Sequence, residues 1–150
     1  MKDEAINVPT QELWKRLFQA STVEKYLTDN NNACAFPSFS DYITKLCKDR
    51  NVKPAQVLKE CSIERSFGHR LFSGERNPSR ETVLQLAFGF AMTIDETQQL
   101  LKIAQASPLH PKVKRDAIIA YCIYNGKKLT ETQQVLYDNK LPLLGGSQNG

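Results

Sequence analysis

The chain has 150 residues, of which 41% are hydrophobic and 24% are charged, as in a globular protein with room for one domain or one domain with an appendage. No apolar run approaches the roughly 20 residues of a membrane span. The amino-terminal segment MKDEAINVPTQ lacks the apolar stretch of a secretory signal, so we expect a cytoplasmic protein that does not enter a membrane.

The net charge of +4 is unevenly distributed along the chain. Residues 41–80 carry nine basic and five acidic side chains, whereas residues 1–40 carry four and five and residues 81–150 carry seven and six. Four of the seven arginines fall between residues 65 and 80. A basic surplus in one segment is the electrostatic footprint expected for binding to a phosphate backbone, with an ordinary solvated charged face as the alternative.

The four cysteines do not indicate a metal site. Cys34, Cys47, Cys61 and Cys122 are too widely spaced to form a CxxC pair or a zinc knuckle. We expect isolated, reduced cysteines that pack as small apolar side chains, and we expect no cofactor.

Every long segment has the apolar periodicity of a helix and none has that of a strand, so we predict an all-α protein. Thr10, Ser38 or Ser40, Ser79 and Thr93 are candidate amino-terminal caps, and Pro54 suits the first turn of a helix. The predicted helices span residues 11–28, 38–49, 54–61, 64–73, 79–90, 93–106, 111–125 and 130–139.

The chain also contains an internal repeat with a period of 35 residues. Residues 80–102 align on residues 115–137 without a gap, and each copy predicts two helices around a short turn, the second capped by threonine. The aromatic signature of tetratricopeptide motifs is absent, and two copies are fewer than the three or so that a solenoid needs. We interpret the copies as two stacked helical hairpins, with coincidence of helical periodicity as the alternative. Aligned pairs include Arg80 with Arg115, Glu81 with Asp116, Ile94 with Leu129, Glu96 with Glu131 and Leu101 with Leu136.

The predicted helix 64–73 has two chemically distinct faces. Its apolar side holds Ile63, Phe67, Gly68, Leu71 and Phe72, and its polar side holds Arg65, Ser66, His69, Arg70 and Ser73. Arginine pairs bidentately with the O6 and N7 atoms of guanine, and serine donates or accepts. This face therefore has the chemistry of base-edge readout in DNA, and we predict that Arg65, Ser66, His69 and Arg70 read bases.

Other polar groups flank this helix and are suited to phosphate binding. Lys53 and Gln56 open the preceding helix, whose free N–H groups favour an anion. A second set surrounds the start of the following helix and suits contacts that position a protein on DNA without reading its sequence. The predicted phosphate-binding residues are Lys53, Gln56, Arg76, Asn77, Ser79 and Arg80.

At these residues the chain resembles the lambda-repressor-like (Xre/Cro-type) helix-turn-helix family of bacterial and phage transcriptional regulators. Residues 53–78 match the family pattern without insertion, and the resemblance covers about residues 38–106. Leu71-Phe72-Ser73-Gly74 is similar to the family's helix ending, and Arg76-Asn77-Pro78 to its basic loop. The resemblance implies that helix 64–73 enters the major groove, with base contacts at Arg65, Ser66 and Arg70.

Three positions depart from the family pattern. Ser62 stands where the family usually has a glycine in the turn, so a backbone that is not left-handed is an alternative there. Leu58 is expected to face Gly68, which exchanges the usual small and large partners of the two helices. Glu64 suits the positive end of the helix dipole but would repel a nearby phosphate.

The predicted organisation is an N-terminal helix and linker (1–37), a helix-turn-helix DNA-binding domain (38–107), a C-terminal helical hairpin (108–143) and a flexible tail (144–150). The predicted function is a sequence-specific regulator of transcription that binds double-stranded DNA. The family resemblance implies that it acts in the bacterial nucleoid and binds as a homodimer. The apolar groups of the second hairpin either form the dimer surface or pack onto the preceding hairpin. Those groups are Ile118, Ile119, Tyr121, Cys122, Ile123 and Tyr124.

Two other classes of protein are alternatives. A protein-interaction adaptor would keep the fold without a DNA role and would bind its partner through the N-terminal helix or the C-terminal hairpin. An enzyme is not expected, because no nucleophile, carboxylate pair or phosphate loop has a recognisable catalytic spacing. The two histidines lie on the proposed DNA face (His69) and in a loop between prolines (His110).

Overall fold

The structure, a computed structural model, describes residues 8–33 and 36–145. Within these ranges every element is a helix and there is no strand, so the predicted all-α fold class is confirmed. In chain order the helices are α1 (Thr10–Gln19), α2 (Val23–Asp29), α3 (Phe39–Asp49), α4 (Pro54–Glu60), α5 (Arg65–Ser73), α6 (Arg80–Gly89), α7 (Ile94–Ile103), α8 (Lys114–Tyr124) and α9 (Leu129–Asp138).

The chain divides into two compact units, residues 1–37 and residues 38–150. In the first unit the predicted single helix 11–28 is wrong, because the backbone becomes extended at Ala20 and α2 begins afresh after Thr22. The Thr22 hydroxyl accepts a hydrogen bond from the N–H of Lys25 at 3.1 Å and so caps α2. No apolar side chain described in this unit is buried, and Trp14 and Phe18 are 54% and 76% exposed.

In the second unit, α5 packs on both α3 and α4, and α4 packs on α6. Ser38 caps α3, and Ser79 and Thr93 cap α6 and α7, as predicted for these three residues. Ile43, Leu58 and Leu71 bring the apolar faces of α3, α4 and α5 into one buried core. Cys47, Cys61 and Cys122 are free and buried, as predicted, and Cys34 lies outside the described residues.

The exchange of large and small residues between α4 and α5 is confirmed. A Cβ atom added to Gly68 would lie 2.3 Å from Cδ1 of Leu58, so the leucine occupies the space that a side chain would take. The turn between the two helices shows which of the two backbone conformations considered for Ser62 it adopts. Its φ is +55°, so the backbone is left-handed although the residue is not glycine.

The repeat is present in the structure as two helical hairpins, α6–α7 and α8–α9. Gln98 of the first copy bonds both the N–H and the C=O of Leu109, and Gln133 of the second bonds those groups of Leu144 in the same way. The threonine cap predicted for both copies is found only at Thr93. In the second copy Lys128 takes that position, and α9 begins one residue before the predicted Thr130.

The two hairpins are related by an approximate two-fold axis rather than by simple stacking. Arg80 of the first copy binds Asp116 of the second, and Arg115 of the second binds Glu81 of the first. Helix α6 contacts α9 while α7 contacts α8. Residues at the two interhelical turns, among them Met92 and Thr93 of the first hairpin and Lys127 and Lys128 of the second, line one groove of about 910 Å³ together with Glu60 of α4. Each hairpin therefore presents the same surface to the other, as the subunits of a two-fold dimer do.

The compact structure extends further toward the carboxyl terminus than predicted. Leu144, assigned to a flexible tail from its composition, is 3% exposed, and the N–H of Gly145 donates to Glu81 at 3.2 Å. The other residues assigned to that tail, 146–150, lie outside the described residues.

Candidate nucleic-acid interface

Helix α5 begins at Arg65 because Glu64 caps it. The two carboxylate oxygens of Glu64 accept hydrogen bonds from the N–H groups of Ser66 at 3.0 Å and Phe67 at 2.8 Å. The helix ends at Ser73 because Gly74 follows with a left-handed backbone, φ +85°. A left-handed glycine after the last turn is a common helix terminator.

The predicted faces of α5 are confirmed. Gly68 and Leu71 are buried, and Phe67 and Phe72 are half-buried against the same core. The polar side is exposed to solvent along its whole length, and its residues are Arg65, Ser66, His69, Arg70 and Ser73. The exposed face of α5 is thus continuous and hydrophilic, and the opposite face of the helix packs on the apolar core.

The arginines of the chain separate into two groups. Arg16, Arg50, Arg80 and Arg115 each form an ion pair with a carboxylate. The three that form none within the described residues are Arg65, Arg70 and Arg76. Among the described residues, the guanidinium groups without an ion pair therefore all lie on α5 or in the loop that follows it, where they are exposed to solvent.

Glu64 places a negative charge at the amino-terminal end of this face. The N–H groups of Phe67 and Ser66 hold the pKa of its carboxyl group below the ordinary value, so the side chain is ionised at neutral pH. A phosphate would meet this carboxylate at the end of α5. The electrostatics therefore favour an approach centred on Arg65, Arg70 and Arg76 rather than on the first N–H groups of the helix.

Four of the six predicted phosphate-binding residues are exposed and have donors to offer. Lys53 precedes α4 and, like Gln56, is exposed. The carboxamide oxygen of Gln56 accepts from the N–H of Lys53 at 2.8 Å, which leaves its NH₂ group as a donor. Arg76 and Asn77 are exposed in the loop after α5, and the N–H of Arg76 donates to the C=O of Arg70 at 3.1 Å, which ties this loop to the helix.

The remaining two, Ser79 and Arg80, have partners within the protein. The Ser79 hydroxyl accepts from the N–H of Thr82 at 3.2 Å and caps α6. Arg80 donates to the carbonyl groups of Ser107 and Pro108 and to Asp116 at 2.9 Å, with only 26% of its side chain exposed. The structure therefore uses Arg80 to join the two hairpins, which differs from the predicted role.

Two ion pairs that support the site were not predicted. Arg50 at the end of α3 binds Glu96 and the C=O of Phe90, which links α3 to the first hairpin, α6–α7. Arg115 binds Glu81 with two hydrogen bonds. The 35-residue alignment carries a signal for the second pair, because it places Arg80 on Arg115 and Glu81 on Asp116. No pattern in the sequence indicates the Arg50–Glu96 pair.

No protein-family model, curated protein or solved structure matches the chain. None of the helices in residues 8–33 and 36–145 is long and apolar enough to cross a membrane.

Proposed function

We propose that the protein is a sequence-specific regulator of transcription that binds double-stranded DNA in the bacterial nucleoid, with α3–α6 acting as a lambda-repressor-like helix-turn-helix. The observation that carries the proposal is the pairing of the arginines. Every arginine outside residues 65–76 is bound to a carboxylate, whereas Arg65, Arg70 and Arg76 are exposed without one among the described residues.

Helix α5 would supply the base contacts. Arg65 and Arg70 would pair with guanine O6 and N7 in the major groove, and Ser66 and His69 would donate or accept between them. Each bidentate arginine contact contributes roughly 1–3 kcal/mol of discrimination against a wrong base. The buried Gly68–Leu58 contact holds α5 on α4, so the reading side chains project from a fixed support.

Phosphate contacts would come from both flanks of α5. Lys53 precedes α4 and Gln56 lies in its first turn, whereas Arg76 and Asn77 lie in the loop after α5. These contacts would set the register of the protein on the duplex without reading its sequence. Bound as a homodimer, the protein would recognise palindromic sites with half-sites about 34–36 Å apart.

Selection of bound duplexes from a random DNA pool tests the proposal. The full chain is expected to enrich a defined sequence, and the double variant Arg65→Ala/Arg70→Ala is expected to lose the enrichment. Lys102→Ala is a matched control, because it removes an exposed cation from α7 on a different part of the chain. Enrichment that the double variant retains would show that α5 does not read DNA.

Salt dependence separates base contacts from phosphate contacts. Arg76→Ala is expected to weaken all sequences alike and to lower the slope of log K against log salt by about 0.9. Arg65→Ala is expected to change the preferred base at one position of each half-site. A variant of Arg76 that alters sequence preference without altering the slope would contradict its assignment as a phosphate contact.

A protein-interaction adaptor is the second candidate, and the exposed aromatic side chains of α1 favour it. Trp14 and Phe18 stack with ring centroids 5.4 Å apart, and both are more than half exposed. Large exposed apolar groups mark interaction surfaces. In an adaptor, replacement of Trp14 and Phe18 by serine would abolish partner binding while Arg65→Ala/Arg70→Ala would leave it intact, and the random-pool selection would yield no enriched sequence.

A further inference from the structure

The two hairpins of the approximate two-fold pair differ in what covers their outer faces. In the first hairpin, α4 lies directly against α6. A Cβ atom on Gly89 would lie 2.7 Å from the C=O of Val57, and Gln85 donates to the C=O of Cys61 at 3.1 Å. Leu86 and Leu100 on this hairpin are fully buried.

The repeat alignment identifies the same positions on the second hairpin. Leu86 corresponds to Tyr121, Gly89 to Tyr124 and Leu100 to Val135, and we call these three residues of the second hairpin the tyrosine face. They are 67%, 80% and 38% exposed. The positions that are covered in the first hairpin are therefore open in the second, and two of them carry tyrosine there in place of leucine and glycine.

The charged group beside each face follows the same correspondence. In the first hairpin one carboxylate oxygen of Glu96 accepts from the N–H of Thr93, and the other binds Arg50. Arg50 ends α3 and lies near Val57 and Gly89, where α4 covers this hairpin. In the second, Glu131 caps Lys128 with one oxygen at 2.9 Å, and no cation pairs with it among the described residues. The element that covers the tyrosine face should therefore supply a cation.

We propose that a second copy of this chain covers the tyrosine face across a two-fold axis. Lys128 lines the same groove as Tyr124, and Glu131, three residues later, is joined to it by the capping hydrogen bond. In a copy related by a two-fold axis, Lys128 of one chain can therefore pair with Glu131 of the other. The face is thus self-complementary in charge. Its tyrosines can bury their rings against those of the other copy while their hydroxyl groups stay in contact with water, as is common at protein interfaces.

This interface would form the homodimer that the proposed DNA-binding function expects. Its biological role rests on that function, but the dimer itself forms without DNA. Its contacts lie on α8 and α9, at positions that do not overlap Arg65, Arg70 or Arg76. The association is therefore measured on the protein alone, and a failure of DNA binding would not alter the result.

Sedimentation equilibrium of the full chain, without DNA, tests the interface. We expect twice the monomer mass of 17.0 kDa. The double variant Tyr121→Ser/Tyr124→Ser is expected to raise the dissociation constant of the dimer by about 10- to 100-fold, as loss of central aromatic contacts does. Glu131→Gln keeps a capping acceptor but removes the charge, and we expect about a two- to fivefold rise.

Tyr137→Ser is the matched control. Tyr137 is 70% exposed, but it corresponds to Lys102, which is exposed in the first hairpin, so it falls outside the tyrosine face.

A monomeric mass for the unmodified chain at high concentration would overturn the proposal. A dimer that the double variant retains, or that Tyr137→Ser weakens equally, would also overturn it. Thermal unfolding followed by circular dichroism identifies variants that fail to fold, and Tyr121→Lys then serves as the replacement test.

Discussion

Arg115 binds Glu81 through two parallel hydrogen bonds, of 2.7 and 2.6 Å, that join α8 to the start of α6. The pair is 17% and 13% exposed, so both charges are largely removed from water. Arg115 also donates to the carbonyl groups of Pro142 and Leu143. One side chain therefore fastens the second hairpin and its carboxyl-terminal segment to the first hairpin.

Replacement of Arg115 by alanine is expected to destabilise the protein by about 3 kcal/mol, because it leaves the Glu81 carboxylate buried without its partner. The free energy of unfolding from urea titration measures the effect. Arg65→Ala removes an exposed arginine with no ion pair in the described structure, and it should change the stability by less than about 0.5 kcal/mol. Equal effects of the two substitutions would contradict the assigned role of the pair.

The pH dependence of stability should report the same pair. Hydrogen bonding from Arg115 lowers the pKa of Glu81 in the folded protein below its ordinary value of 4.5. Its contribution to stability is therefore complete above the ordinary pKa and is lost as the pH falls through the depressed one. Unfolding midpoints in urea between about pH 6 and pH 3 should decline for the unmodified chain and decline less steeply for Glu81→Gln. An unchanged slope would rule out this linkage.

The contact of Leu58 with Gly68 predicts a non-additive pair of substitutions. Gly68→Ala should destabilise the protein by about 1–2 kcal/mol, because overpacking against Leu58 exceeds the gain in helix propensity. Leu58→Ala alone should cost about 2–5 kcal/mol through the cavity that it leaves. The double variant should be more stable than the sum of the two changes implies. Additive free energies of unfolding, measured in urea, would mean that the two residues do not share this space.

Glu64 should weaken the attraction of α5 for DNA. Glu64→Ser retains a good capping residue and removes the carboxylate, so we expect about fivefold tighter binding to non-specific DNA at low salt, equivalent to roughly 1 kcal/mol. Fluorescence anisotropy with a random duplex measures it. Asp95→Ser makes the same charge change in the first turn of α7 and should have a smaller effect. If both variants bind alike, net charge rather than position governs the affinity.

Local patterns predicted the α5 region closely because its signals act over a few residues. Glu64 and Gly74 bound the helix, and the apolar spacing of Phe67, Leu71 and Phe72 separates its buried side from its exposed side. Ser62 shows where a local rule is insufficient. Serine pays a steric cost in the left-handed region, and the packing of α4 on α5 supports that conformation.

The 35-residue repeat depends on contacts between distant residues rather than on local signals. Its period can be read from the sequence, but the symmetry that relates its two copies cannot. An alignment can place Arg80 on Arg115, but it cannot distinguish a translation from a two-fold rotation. Only the contacts make that distinction, since Arg80 binds Asp116 while Arg115 binds back to Glu81. Arg80 consequently belongs to the packing between hairpins, although its place in the arginine cluster predicted a phosphate contact.

Local sequence patterns predicted the all-α class, the caps Ser38, Ser79 and Thr93 and the exposed polar face of α5, because each depends on side chains within about one helical turn. The packing of distant helices sets which arginines pair with a carboxylate. It also decided that Leu86 is covered while its counterpart Tyr121 is open. Those outcomes depend on contacts between residues 24–46 positions apart, as in Gln85–Cys61, Arg115–Glu81 and Arg50–Glu96, and the free energy of such contacts is set only when distant helices pack together.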